Sequence, residues 1–162
     1  MGERTFQQRI AIRRSSGEEA AQQATLASGS LRAPERLQVE ALLTCTLRER
    51  GEQCECRVAL TTDDGVLEAS GPDFFEAFCG VREQLETRGL VPVCYGASRK
   101  VFPSRMSRQR SLGVQAYRLE LGRAGRKEDI VEIFQTGDDV EPVSVADQRR
   151  FFDEWLRTLG QP

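Results

Sequence analysis

The sequence predicts an α+β fold: an antiparallel sheet of about five to six strands, with two amphipathic helices packed on one face and a single core. Three observations predict it. A run from Leu37 to Ser70 alternates apolar and polar residues and is punctuated by Gly51 and Asp64-Gly65. Two later segments, SGPDFFEAFCGVREQLETRG and SVADQRRFFDEWLRTLG, repeat apolar residues at helical spacing. Finally, 162 residues suit one domain, with no internal repeat and no second boundary.

Taken in order, residues 1–36 mix Arg, Gln, Ser, Ala and Gly with weak periodicity and are expected to form a loosely attached arm ahead of a single domain at 37–162. Within that arm, Phe6, Ile10 and Ile12 suit a strand over Thr5 to Ile12, and Glu18 to Leu26 has helix-forming composition with few apolar anchors. From Leu37 the pattern sharpens. LQVEALLTCTLRE, CECRVALTT and VLEAS alternate with the period of half-buried strands, and the glycines between them sit where hairpins turn. A three-stranded antiparallel meander follows.

The next segment places Phe74, Phe78, Val81 and Leu85 on one helix face. Ser70 or Gly71 is expected to cap its start, Pro72 to occupy the first turn and Gly89 to close the end in a left-handed conformation. LVPVCYG reads as a short strand that Pro92 confines to an edge or a strand start. After a basic loop, GVQAYRLELG and DIVEIFQ read as further strands. Ser144 and Asp147 stand in capping-box spacing at the head of the last helix. Its apolar face is Phe151, Trp155 and Leu159, joined by Phe152 and Leu156.

No apolar run approaches the roughly 20 residues that span a bilayer, and the first residues lack the apolar centre of a secretion signal. A soluble, cytoplasmic protein with no membrane partner is expected. The five cysteines (Cys45, Cys54, Cys56, Cys79, Cys94) are an odd number in a chain too long to need disulfide staples, so free thiols are expected. The chain contains no His and no paired ligand spacing, so no metal site and no cofactor are expected. The absence of His also removes Ser-His and Cys-His nucleophile activation. The carboxylate pairs Asp63-Asp64 and Asp138-Asp139 lie beside glycines, where turn chemistry accounts for them, and no catalytic residue is assigned.

Charge is the distinctive feature. Residues 88–127 hold ten Lys and Arg against Glu120, a balance of +9, whereas residues 51–87 balance at −7 and residues 128–162 at −6. The stretch VCYGASRKVFPSRMSRQR, Val93 to Arg110, is the densest part. It fails the phosphate-loop pattern, having one Gly and no Gly-Lys-Ser or Gly-Lys-Thr. Its Arg residues offer forks for carboxylates or phosphates, and its rings offer anchors. The candidate binding residues are therefore Tyr95, Arg99, Lys100, Phe102, Arg105, Arg108 and Arg110. Against this stands a bland alternative, that the basic loop folds back on the acidic segments and neutralises itself.

The order Cys-Tyr-Gly-Ala-Ser-Arg, Val-Phe-Pro-Ser-Arg-Met, Gly-Val-Gln-Ala-Tyr, Ile-Val-Glu-Ile-Phe and Gln-Arg-Arg-Phe-Phe-Asp-Glu-Trp-Leu, from Cys94 onward, resembles a family of small uncharacterised bacterial proteins. Arg105 departs from that pattern, which usually has Gly there. The resemblance implies no activity and no catalytic residues, but in size and kind the chain is similar to cytosolic immunity proteins that accompany secreted toxins. The expected function is a non-catalytic protein-binding module, immunity-like or adaptor, docking one partner through the basic loop or through an acidic face that mimics nucleic acid. Two alternatives remain: nucleic-acid binding through residues 88–127, opposed by a pI near 5.4, and an enzyme whose nucleophile is Cys94, its thiol pKa lowered by Arg99 and Lys100. The sequence leaves oligomeric state open.

Overall fold

The computed structural model describes residues 2–15 and 38–160. The fold is α+β, as expected, but its strands divide between two sheets. Strands β1 (Glu3–Arg14), β2 (Val39–Arg50), β3 (Gln53–Thr62), β4 (Gly65–Gly71) and β5 (Leu90–Pro92) form a five-stranded antiparallel sheet in the order β4-β3-β2-β1-β5. Strands β6 (Val101–Phe102), β7 (Gln115–Arg118) and β8 (Ile130–Glu132) form a second, three-stranded sheet. Three helices complete the described fold: α1 (Phe74–Glu86), α2 (Arg105–Ser111) and α3 (Val145–Leu159).

The expected meander is β2-β3-β4, with Gly51 (φ 63°) and Gly65 (φ 121°) in its turns. The expectation of a loose arm is corrected over Glu3–Arg14. That stretch is a strand between β2 and β5, paired with β2 from Glu3↔Arg48 to Ile12↔Val39, and it buries Ile10 and Ile12. Weak apolar periodicity misleads here because Phe6, Ile10 and Ile12 occupy only part of the strand's inner face, while Gln8 donates from that face to the Phe134 carbonyl. The helix-like stretch Glu18 to Leu26 lies outside the described residues.

The separation into two sheets begins at Pro92. It lies in β5 at the edge of the larger sheet, where its missing N–H is tolerated, and the Val93 N–H makes the last bond to β1, donating to the Ala11 carbonyl at 2.8 Å. The chain then enters a 3-10 turn at Tyr95–Ala97, and β6 pairs with β7. Helix α1 packs on the larger sheet, and its Phe75, Phe78, Val81 and Leu85 share one core cluster with Leu43, Val58 and Leu60. At roughly 1.5 to 3 kcal/mol for each large apolar side chain, these contacts are the main stabilising term.

Helix capping partly differs from expectation. Asp73, not Ser70 or Gly71, caps α1 by accepting from the Glu76 N–H at 2.9 Å. Pro72 precedes the cap, and Gly89 (φ 66°) closes the end, as its lack of a Cβ allows. Ser144 caps α3 through the Asp147 N–H, as its spacing predicts. The apolar stripe of α3 is buried at Phe151 and half-buried at Phe152 and Trp155, but Leu156 and Leu159 are exposed beyond the core.

Candidate interaction surface

The basic stretch from Tyr95 to Arg110 divides into a braced first half and an exposed helix. The brace begins with backbone pairing. The N–H groups of Tyr95 and Gly96 donate to Gln135 and Ile133, those of Arg99 and Val143 exchange with Glu141 and Ala97, and Ser98 bridges Pro142. Beneath it lies a group that the sequence reading did not single out. Arg82, fully buried on α1, donates to the carbonyls of Gly96 and Val143 at 3.0 Å each and to Gln148 Oε1. Gln148, buried on α3, donates to the carbonyls of Gly96, Ser98 and Val101 at 2.8–3.0 Å. Two polar side chains thus supply donors to carbonyls of a segment that has few ladder bonds of its own. Their signal was present: Arg82 falls in the stripe Phe75-Phe78-Leu85, and Gln148 falls between Val145 and Phe151.

Four expected binding residues are tied, wholly or partly, into the molecule. The Tyr95 hydroxyl donates to Asp139 Oδ1 at 2.7 Å, and Asp139 Oδ2 accepts from Arg118 at 3.0 Å. These contacts raise the Tyr95 pKa and lower that of Asp139. Phe102, expected to be an anchoring ring, is 9% exposed and belongs to the core. It stacks on Phe152 at 4.0 Å and meets Phe75 edge-on at 5.0 Å. Arg108 bridges Asp73 at 2.8 Å and Glu76 at 3.0 Å, with its guanidinium over the Phe75 and Phe102 rings. Arg99 lies 3.8 Å from Glu141 and 5.7 Å from the Phe151 centroid, but remains largely exposed. Lys100, Arg105 and Arg110 are exposed, and no described carboxylate pairs with them.

Self-neutralisation is therefore partial. Along 88–127, Arg99, Arg108, Arg118, Arg123 and Arg126 have acidic partners, whereas Arg88, Lys100, Arg105, Arg110 and Lys127 have none among the described residues. The free cations nearest one another in sequence are Lys100, Arg105 and Arg110, and the last two lie on α2.

Helix α2 replaces the expected loop. Ser104 caps it by accepting from the Ser107 N–H at 3.1 Å, and Leu112 (φ 50°) followed by Gly113 (φ 73°) ends it. Its Arg, Met and Gln are good helix formers, so a cap, a short run and a glycine stop were visible in PSRMSRQRSLG.

The other chemistries find little purchase. Cys94 is fully buried, and burial pushes its thiol up to about 11, with Arg82 as the opposing cation rather than Arg99 or Lys100. Cys45, Cys56 and Cys79 are also buried with raised pKa values, Cys54 is exposed, and all five thiols are unpaired. Among the described residues no cluster of three His, Cys, Asp or Glu is arranged for a metal, and no helix is long and apolar enough to cross a membrane. An open cleft of about 400 Å³ lies beside Ser15, Leu90, Ser144 and Asp147, where Glu86 accepts from the Val145 N–H at 2.7 Å. It contains none of the expected binding residues. The architecture is that of an α+β protein with a braced basic segment. In comparisons with known proteins, no family model and no curated protein matches the chain.

Proposed function

We propose that the chain is a non-catalytic protein-binding module, of the immunity-protein or adaptor kind, that docks one acidic protein partner by charge complementarity in the cytoplasm. One observation supports this reading above the others: Lys100, Arg105 and Arg110 are exposed and without an acidic partner among the described residues, on a segment that the protein braces with a buried polar network. Positive groups without internal partners favour encounter with an acidic surface and set its register. Nucleic-acid binding calls on the same groups, but half of the ten cations of residues 88–127 already face carboxylates. The phosphate contacts that give salt-steep nucleic-acid binding are correspondingly fewer.

Affinity capture from the native host tests the proposal. The wild-type chain is expected to retain one stoichiometric acidic protein, and the combined Lys100→Glu, Arg105→Glu and Arg110→Glu variant is expected to lose it. Equal retention by both chains would remove the charge mechanism.

A further inference from the structure

We infer that α2 is the docking element and that the partner presents an apolar socket ringed by carboxylates, with Met106 seated in the socket between Arg105 and Arg110. The inference rests on the reading above and specifies the partner's chemistry. Helix α2 has two unlike sides. Ser107, Arg108 and Ser111 face inward, whereas Arg105, Met106, Gln109 and Arg110 face solvent, with Met106 57% exposed. The inward arginine is doubly paired and the outward two have no acidic partner among the described residues, so the described carboxylates bound to α2 serve only its anchored side.

The helix is also expensive to hold in place. It has seven residues, three of them Arg, and no acid in its first turn. Isolated helices of that length do not persist in water. Its conformation depends on the Ser104 cap, on the Ser111 hydroxyl donating to the Ser107 carbonyl at 2.7 Å, and on the Arg108 clamp. It ends at Leu112, the one non-glycine residue with positive φ among those described, whose carbonyl accepts from the Phe74 N–H at 2.8 Å. A strained backbone and unpaired like charges on a helix that the core holds from one side are the local inconsistencies expected where a surface serves a partner. A display fixed in advance also lowers the ordering cost of association.

The residue types identify that partner. Arg and Met are enriched at the centres of protein interfaces, where the flexible thioether adapts to an apolar pocket and the guanidinium forks take carboxylates. A phosphate backbone would use the arginines and gain nothing from Met106.

The test titrates the full-length chain with three labelled probes at two salt concentrations: a short glutamate–glycine peptide, a peptide of equal charge with two leucines, and a short single-stranded DNA. The leucine peptide is expected to bind tighter than the glutamate–glycine peptide. Met106→Gln should abolish that preference, a loss of roughly fivefold or more, while leaving the glutamate–glycine affinity unchanged. Arg105→Gln with Arg110→Gln should weaken both peptides and flatten their salt dependence. An unchanged preference in Met106→Gln overturns the socket and leaves charge-guided docking standing. If the double arginine variant is also without effect, the binding reading falls with it. DNA bound tighter than either peptide, with no response to Met106→Gln, overturns the inference in favour of nucleic acid. Each variant alters an exposed side chain, and an unchanged thermal midpoint confirms folding.

Discussion

Gln148 Oε1 accepts from the Arg82 guanidinium in the protein interior, and the two side chains together satisfy the carbonyls of Gly96, Ser98, Val101 and Val143. Among the described residues no carboxylate bonds Arg82, and its Nε has no partner. Burial accordingly lowers the Arg82 pKa. The pair exchanges desolvation of one charge for the ordering of a loop that has few ladder bonds.

Arg82→Met is therefore expected to be among the most damaging single changes. It fills the space but leaves two carbonyls and the Gln148 oxygen without that donor, a loss of about 3 kcal/mol. Gln148→Leu should cost a similar amount, and the double variant less than the sum of the two, because both act on one network. Urea unfolding midpoints check this. Additive losses would show that the two side chains work independently.

The thiols predict an alkaline limit to stability. Folded Cys56, Cys79 and Cys94 ionise near 11 and Cys45 near 12, against an ordinary value of 9.0, chiefly because burial disfavours the thiolate. Above pH 9 the unfolded chain releases protons that the folded chain retains, so stability is full below pH 9 and falls as pH rises toward 11. The slope is roughly 1 kcal/mol per pH unit for each thiol that titrates this way. Replacing Cys45 with Ala should make the fall less steep. In the native state at neutral pH, a thiol reagent should label Cys54 alone at an unhindered rate. Rapid labelling of Cys94 would revive its candidacy as a nucleophile.

What was legible in the sequence was local. The meander announces itself through alternation around Gly51 and Gly65, and α1 and α3 through their apolar stripes, because each signal lies within one element. The pairing of β1 between β2 and β5, across 25 and 75 residues or more, has no local signal. The assignment of β6, β7 and β8 to a separate sheet was hidden for the same reason. At the candidate surface, composition located the cations but not their partners. Nothing around Arg108 in the sequence distinguishes it from Arg105, yet Asp73, 35 residues earlier, holds one and not the other. Phe102 read as an available ring because two-residue strands have too little periodicity to show which side is buried.

Gly137→Ala should disturb the tie between Tyr95 and the acidic loop. A Cβ at Gly137 would overlap the Tyr95 hydroxyl oxygen, so the ring must shift, and its bond to Asp139 is expected to weaken or break. The expected cost is about 1 kcal/mol. It should be smaller in a Tyr95→Phe background, where that hydroxyl is already gone. In the Gly137→Ala chain with Tyr95 retained, Tyr95 should titrate closer to its ordinary value, since the bond to Asp139 is the main cause of its raised pKa. Ultraviolet titration of the phenol reads this directly, and an unchanged titration would mean that the contact survives.

The division between scaffold and surface makes the sharpest contrast within one helix. Arg108 contacts two carboxylates and two rings with its side chain only a quarter exposed, whereas Arg105, three residues earlier, touches no described carboxylate. Arg108→Gln breaks a charge-assisted clamp on the residue that caps α1, and it should cost about 2 kcal/mol. Arg105→Gln and Arg110→Gln should change stability by about 0.5 kcal/mol or less, as exposed substitutions do. Either change should relieve a little repulsion, because like charges crowd the same two turns. Thermal or urea midpoints of the three variants decide the matter. Were Arg105→Gln as damaging as Arg108→Gln, the outward face of α2 would be part of the scaffold, and the surface assigned to a partner would already be in use by the fold.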